Sequence, residues 1–126
     1  MRGKTFGFSK SERLKNKNDI KEIFINRKAL FTYPIKMFYV KNDRLDDRVN
    51  KLMFSVPKKN IRKAVDRNQI KRLLRESYRL NKVNIQNLEF NYFIMFLYLS
   101  DKPSDFKEIN EVVKKLLDNF SRKLKA

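Results

Sequence analysis

The most regular hydrophobic pattern lies near the end of the chain, where Ile109, Val112, Val113, Leu116, Leu117 and Phe120 recur at three- and four-residue steps. That spacing lines one face of an α-helix. It predicts a helix over about residues 105–123, capped by Ser104 or Asp105 with Glu108 nearby. A second helical pattern occupies the middle of the chain. At ~100° per residue, Ile70, Leu73, Leu74, Ser77 and Tyr78 gather on one side, and Arg67, Asn68, Lys71, Arg72, Arg75 and Arg79 on the other. A shorter stripe of Ile20, Ile23 and Phe24 predicts a first helix over about 18–28, with Asn16 or Asn18 as its cap.

After Pro34 the period changes to two. Ile35, Met37 and Tyr39 alternate with Lys36, Phe38 and Val40, which predicts a strand over 35–41 with one partly exposed, aromatic-bearing face. Residues 42–47 read as a polar turn, 49–56 as the next strand and 81–87 as a connector. The run from Phe90 to Leu99, FNYFIMFLYL, is the most hydrophobic segment. It is about half as long as a membrane-spanning helix must be, so a buried strand is expected there. Met1 to Ser11 is a basic tail carrying Phe6 and Phe8, expected to be extended or disordered, and it lacks the apolar core of a signal peptide. A length of 126 residues with 41% hydrophobic content, 11 Phe and 5 Tyr supports one domain with a modest core. The expected fold class is α/β, a single sandwich of helices packed on a small sheet.

Charge changes this picture from a fold to a function. The chain carries 31 Lys and Arg against 14 Asp and Glu, a formal net charge of +17, which points to a polyanionic partner. Part of it forms one arc of the central helix, where only Glu76 and Asp66 lie near enough to relieve repulsion among the cations. A solvated helix face is the plainer reading of such an arc. Solvated faces mix signs, however, whereas this arc is almost wholly positive, favours Arg with its bidentate fork, and holds Asn68 at its centre. Arg67 and Arg72 are expected to be exposed. With no Cys and no His, disulfides, Cys/His zinc sites, Cys nucleophiles and His general bases are excluded, and a reducing, cytoplasmic compartment is expected. The acidic pair Asp46-Asp47 lies in a turn, so neither a catalytic residue nor a metal site is assigned to the protein.

The run Arg67-Asn68-Gln69-Ile70-Lys71-Arg72 is followed one turn later by Arg75 and preceded by Phe54-Ser55-Val56-Pro57-Lys58-Lys59 and Ala64-Val65. Together these residues resemble the signature of the bacterial ribonuclease P protein subunit. Arg13-Leu14-Lys15 and Asp19-Ile20-Lys21-Glu22-Ile23-Phe24 are similar to that family's first helix, so the resemblance covers most of the chain. Gln69 stands where the family has a third basic residue, Pro57 replaces a small polar one, the 60–63 connection is one residue longer, and Ile20 replaces a cleft aromatic.

The resemblance implies about four strands in a mixed sheet with three helices, in the order α-β-β-β-α-β-α. It also implies a left-handed β-α-β crossover, where sequence physics alone would assume a right-handed one. An RNA subunit would bind Mg2+ and cleave precursor tRNA, while a monomeric protein binds that catalytic RNA and the single-stranded 5′ leader. Lys58, Lys59, Arg62, Lys63, Arg67, Asn68, Lys71, Arg72, Arg75 and Arg79 would contact the catalytic RNA. Phe24, Lys36 and Phe38 would line the leader cleft, with core packing the alternative role for the two rings. No membrane or small-molecule partner is implied. The competing function is a ribosomal or assembly protein that binds structured RNA without processing it.

Overall fold

The computed structural model describes residues 12–15, 17–42, 49–86 and 88–125. The basic tail, Asn16, the Asp46-Asp47 pair and the side chain of Phe24 lie outside the described residues. Among those described, the order is α1 (Lys17–Asn26), β1 (Lys28–Thr32), β2 (Ile35–Asn42), β3 (Lys51–Ser55), α2 (Ala64–Asn81), β4 (Asn91–Tyr98) and α3 (Phe106–Lys125). A 3₁₀ turn, Lys82–Ile85, stands where a plain connector was expected. This is the expected α-β-β-β-α-β-α order. One strand was not located in advance: the first helix stops at Asn26 rather than running to 28, and Lys28–Thr32 pairs antiparallel with β2 as a hairpin.

The sheet order is β1-β2-β4-β3, antiparallel except for the parallel β3–β4 pair. A parallel pair needs a long crossover, and α2 supplies it. β4 is the hydrophobic run, and it is buried on both faces because helices cover both. Tyr92, Ile94, Phe96 and Tyr98 point into the larger core with Ile70, Leu74 and Tyr78 of α2 and Ile109, Val113, Leu116, Leu117 and Phe120 of α3. Phe93 and Met95 point the other way, into a smaller core with Leu14, Ile23 of α1 and Phe38 of β2. α3 begins as its pattern requires: the Glu108 amide donates to Asp105 Oδ1 at 2.9 Å, and the Asp105 amide to Glu108 Oε1 at 3.4 Å.

The segment before α1 is held as an extra sheet edge. The Leu14 amide donates to the Leu52 carbonyl at 2.8 Å, and Arg13 bridges Leu52 in parallel. Beside it Lys82 Nζ donates to both carboxylate oxygens of Glu12, at 3.1 and 3.0 Å, with only 5% of the Lys82 side chain and 13% of the Glu12 side chain exposed. Burial, and then the Glu12 charge, push the neighbouring Tyr78 hydroxyl far above the ordinary tyrosine range. The pair ties the start of the chain to the end of α2. Glu12→Gln removes the negative charge of this buried pair and should cost about 3 kcal/mol of stability. Urea unfolding of the variant beside the wild type checks this; a midpoint within error of wild type would show that the pair carries no structural weight.

Candidate nucleic-acid interface

The basic helix is fixed in rotation by what it buries. Ile70, Leu74, Ser77 and Tyr78 are its buried positions, and at ~100° per residue both Leu74 and Tyr78 fall within about 20° of Arg67. Arg67 therefore stands at the edge of the buried side and not, as expected, in the open. It is half-buried, and its Nη1 donates to the Ile61 carbonyl at 3.0 Å and the Arg62 carbonyl at 2.7 Å. The cation is spent partly on closing the loop that enters the helix.

Further round, Asn68 and Arg72 are exposed, and Lys71 and Arg75 half-exposed. Arg72 Nη2 donates to Gln69 Oε1 at 2.9 Å, so this neutral neighbour steadies the cation. Arg79 is paired with Glu76 through its Nε at 3.1 Å and through Nη2. That hydrogen bond holds the Glu76 carboxyl below its usual range. Among the described residues neither Lys71 nor Arg75 has an acidic partner.

The loop ahead of α2 carries four more cations on a fixed frame. Asn60 and Ile61 amides both donate to the Pro57 carbonyl at 3.1 Å, the Asn60 side-chain amide donates to the Tyr98 carbonyl at 3.4 Å, and Ile61 is buried in the larger core. Pro57 and Asn60 thus form a pinned turn. Lys58, Lys59, Arg62 and Lys63 are all exposed on it, so the loop extends the positive edge of the helix.

On the α1 side of the sheet the picture differs from the one expected. Phe38 is 7% exposed, packed with Ile23, Phe93 and Met95, and Ile20 packs against the same cluster. The face that alternation predicted to be partly open is closed at this ring because α1 lies over it. Lys36 does stand beside it, with Nζ 5.2 Å from the ring centroid, and Arg27 Cζ lies 5.0 Å from the same centroid. Arg27 was not anticipated. It occupies the junction between α1 and β1, where the hydrophobic pattern ran helix and strand together. Phe24 lies within α1 and its side chain outside the described part; among the described side chains the structure brings together Lys36, Phe38 and Arg27.

Residues 8–121 match the family model described as Ribonuclease P. The Ribonuclease P protein component of Porphyromonas gingivalis is 38% identical over 117 residues, covering 90% of this chain and 85% of that protein. The solved RNase P protein of Thermotoga maritima superposes with a TM-score of 0.70 at 26% identity, over 86% of this chain and 96% of that one. The Staphylococcus aureus RNase P protein, at 23% identity, shares the fold with a TM-score of 0.72 over 86% of this chain and 94% of that one. With a basic helix after a parallel strand, a match over most of its length and this fold, the chain belongs to the bacterial ribonuclease P protein family, as the non-catalytic protein subunit of that ribonucleoprotein enzyme.

Proposed function

We propose that the outer side of α2 and the 58–63 loop grip the catalytic RNA through its phosphates, and that the α1 side of the sheet holds the 5′ leader of precursor tRNA. The observation that carries this reading is the pair Lys71 and Arg75, cations on a rigid helix, inside the family signature, with no acidic partner among the described residues. A phosphate backbone supplies the counter-charge that the fold leaves out. Asn68, exposed on the same arc, adds a neutral group that both donates and accepts. Because α2 and α1 lie on opposite faces of the sheet, the two RNA surfaces do not compete for the same side chains.

On the leader side, Lys36 and Arg27 neutralise phosphate, while Phe38 supports them from beneath as a buried ring. The protein takes no bond-breaking role in this scheme; it places the leader and steadies the RNA. Mg2+ supplies charge stabilisation at the cleaved phosphate and is held by the RNA. Among the described residues no three Asp or Glu converge.

The β3–α2–β4 crossover is proposed to be left-handed, a reading that rests on likeness to the family. The chain is further proposed to act as one monomeric domain, in the cytoplasm and away from membranes; no helix among the described residues is long and apolar enough to cross a membrane.

Two arginines separate binding from folding. Arg72→Ala should lower the log–log salt slope of catalytic-RNA binding by about 0.7 to 0.9, one phosphate contact, and leave the urea midpoint unchanged. Arg67→Ala should also lose about 1 to 3 kcal/mol of stability, because two carbonyls lose a charged donor. Unchanged salt slopes in both variants would remove α2 from the interface.

On the other face, Lys36→Ala should weaken binding of precursor tRNA and flatten its salt dependence by about 0.7, while mature tRNA, which has no leader, binds as before. Phe38→Ala should instead cost about 3 to 5 kcal/mol of fold stability. Equal losses for precursor and mature tRNA in the Lys36 variant would sink the leader assignment.

A further inference from the structure

The register of the sheet sets four residues in one row across all four strands. Phe31 of β1 pairs with Lys36 of β2, Lys36 with Leu97 of β4, and Leu97 with Ser55 of β3. The row shares a face with Phe38, which pairs with Met95 one step further along. α1 covers the Phe38 position but leaves this row open: Lys36, Leu97 and Ser55 are half-exposed and Phe31 is 56% exposed. At about 4.8 Å between strands, the row is about 14 Å long.

Its two ends differ in chemistry. Beyond Ser55 the chain turns within three residues into Lys58 and Lys59, the start of the basic loop. At the other end Phe31 meets Tyr33, 64% exposed, edge-to-face at 6.4 Å between centroids. Leu99 braces this hairpin tip by donating its amide to the Pro34 carbonyl at 2.7 Å. Two large aromatic rings thus stand in solvent on a braced turn, with Lys36 beside them and no carboxylate in the row.

We propose that Phe31 and Tyr33 form a base-stacking platform for single-stranded RNA, extending the leader track beyond Lys36 to the hairpin tip. The proposal rests on the leader reading of the α1 side and adds its far end: nucleotides of the leader more distant from the cleavage site. Aromatic faces alternating with cations suit single-stranded nucleic acid, since every base offers a π-face and every linkage a charge. A second copy of this chain is the rival occupant. Repulsion between two molecules of net charge +17 opposes it, and Lys28 begins the edge strand that such a copy would have to approach.

The test uses reconstituted holoenzyme and precursor tRNAs whose leaders are lengthened one nucleotide at a time. With the wild-type protein, affinity should keep rising after the curve of the Phe31→Ala/Tyr33→Ala variant has levelled off. On the longest leader the variant should bind about fivefold more weakly for each stack lost, and on the shortest leader equally well. Phe31→Tyr with Tyr33→Phe, which keeps both rings, should restore the wild-type curve. The urea midpoint of the alanine variant should not move, because both rings are exposed. Coincident curves for wild type and the alanine variant would overturn the platform while leaving the leader cleft intact. A wild-type curve with no leader dependence would instead bring down the leader reading itself, and the platform with it. Wild-type dimers in sedimentation that the alanine variant abolishes would assign the patch to self-association and overturn the proposal.

Discussion

Burial of β4 on both faces is the constraint on which the rest of this molecule depends. A strand reading Tyr92-Phe93-Ile94-Met95-Phe96 has no solvent face to offer, so the fold must place helices on either side of it. α2 and α3 take one side and α1 the other. Once those apolar faces are committed inward, the polar remainder of each element is fixed in direction as well. α2 turns Asn68, Arg72 and Arg75 outward because Ile70, Leu74 and Tyr78 are held inside. The comb of cations is rigid because its backbone is packed.

The electrostatics divide into charges the fold satisfies and charges it leaves over. Lys82 is satisfied by Glu12, Arg79 by Glu76, and Arg67 by two backbone carbonyls. Those groups hold the start of the chain, one turn of α2 and its entry loop. Lys71, Arg75 and the loop residues Lys58, Lys59, Arg62 and Lys63 remain available to an external anion, and on the proposed reading their mutual repulsion is a cost that RNA would remove. Two arginines of one helix thus differ in their surroundings: Arg67 is tied to the entry loop, and Arg72 stands exposed, where the proposed reading puts RNA.

Much of this was legible in the sequence, for reasons that differ by element. α3 and β4 were clear because their hydrophobic periods are long and uninterrupted, and the capping box at Asp105 and Glu108 formed as read. β1 was missed because Lys28–Thr32 has no clean alternation and follows α1 without a breaker, so its pairing with β2 decides its conformation. An even division of the helical wheel leaves Arg67 exposed, whereas Tyr78 and Leu74 draw the buried arc toward it. The covering of Phe38 depends on where α1 docks, which no spacing within β2 encodes; the same is true of Arg27 over its ring. Local pattern gave the elements and the basic face, while contacts between distant elements decided which candidates stay open.

On the proposed reading this protein contributes position and charge while an RNA performs the cleavage. The most direct measurement is leader removal from a precursor tRNA at low magnesium, with a bacterial ribonuclease P RNA alone, this protein alone, and the two together. The protein alone should give no cleavage, the RNA alone little, and the mixture efficient release of the intact leader. Cleavage by the protein alone, or a mixture no better than the RNA with any bacterial ribonuclease P RNA, would contradict it.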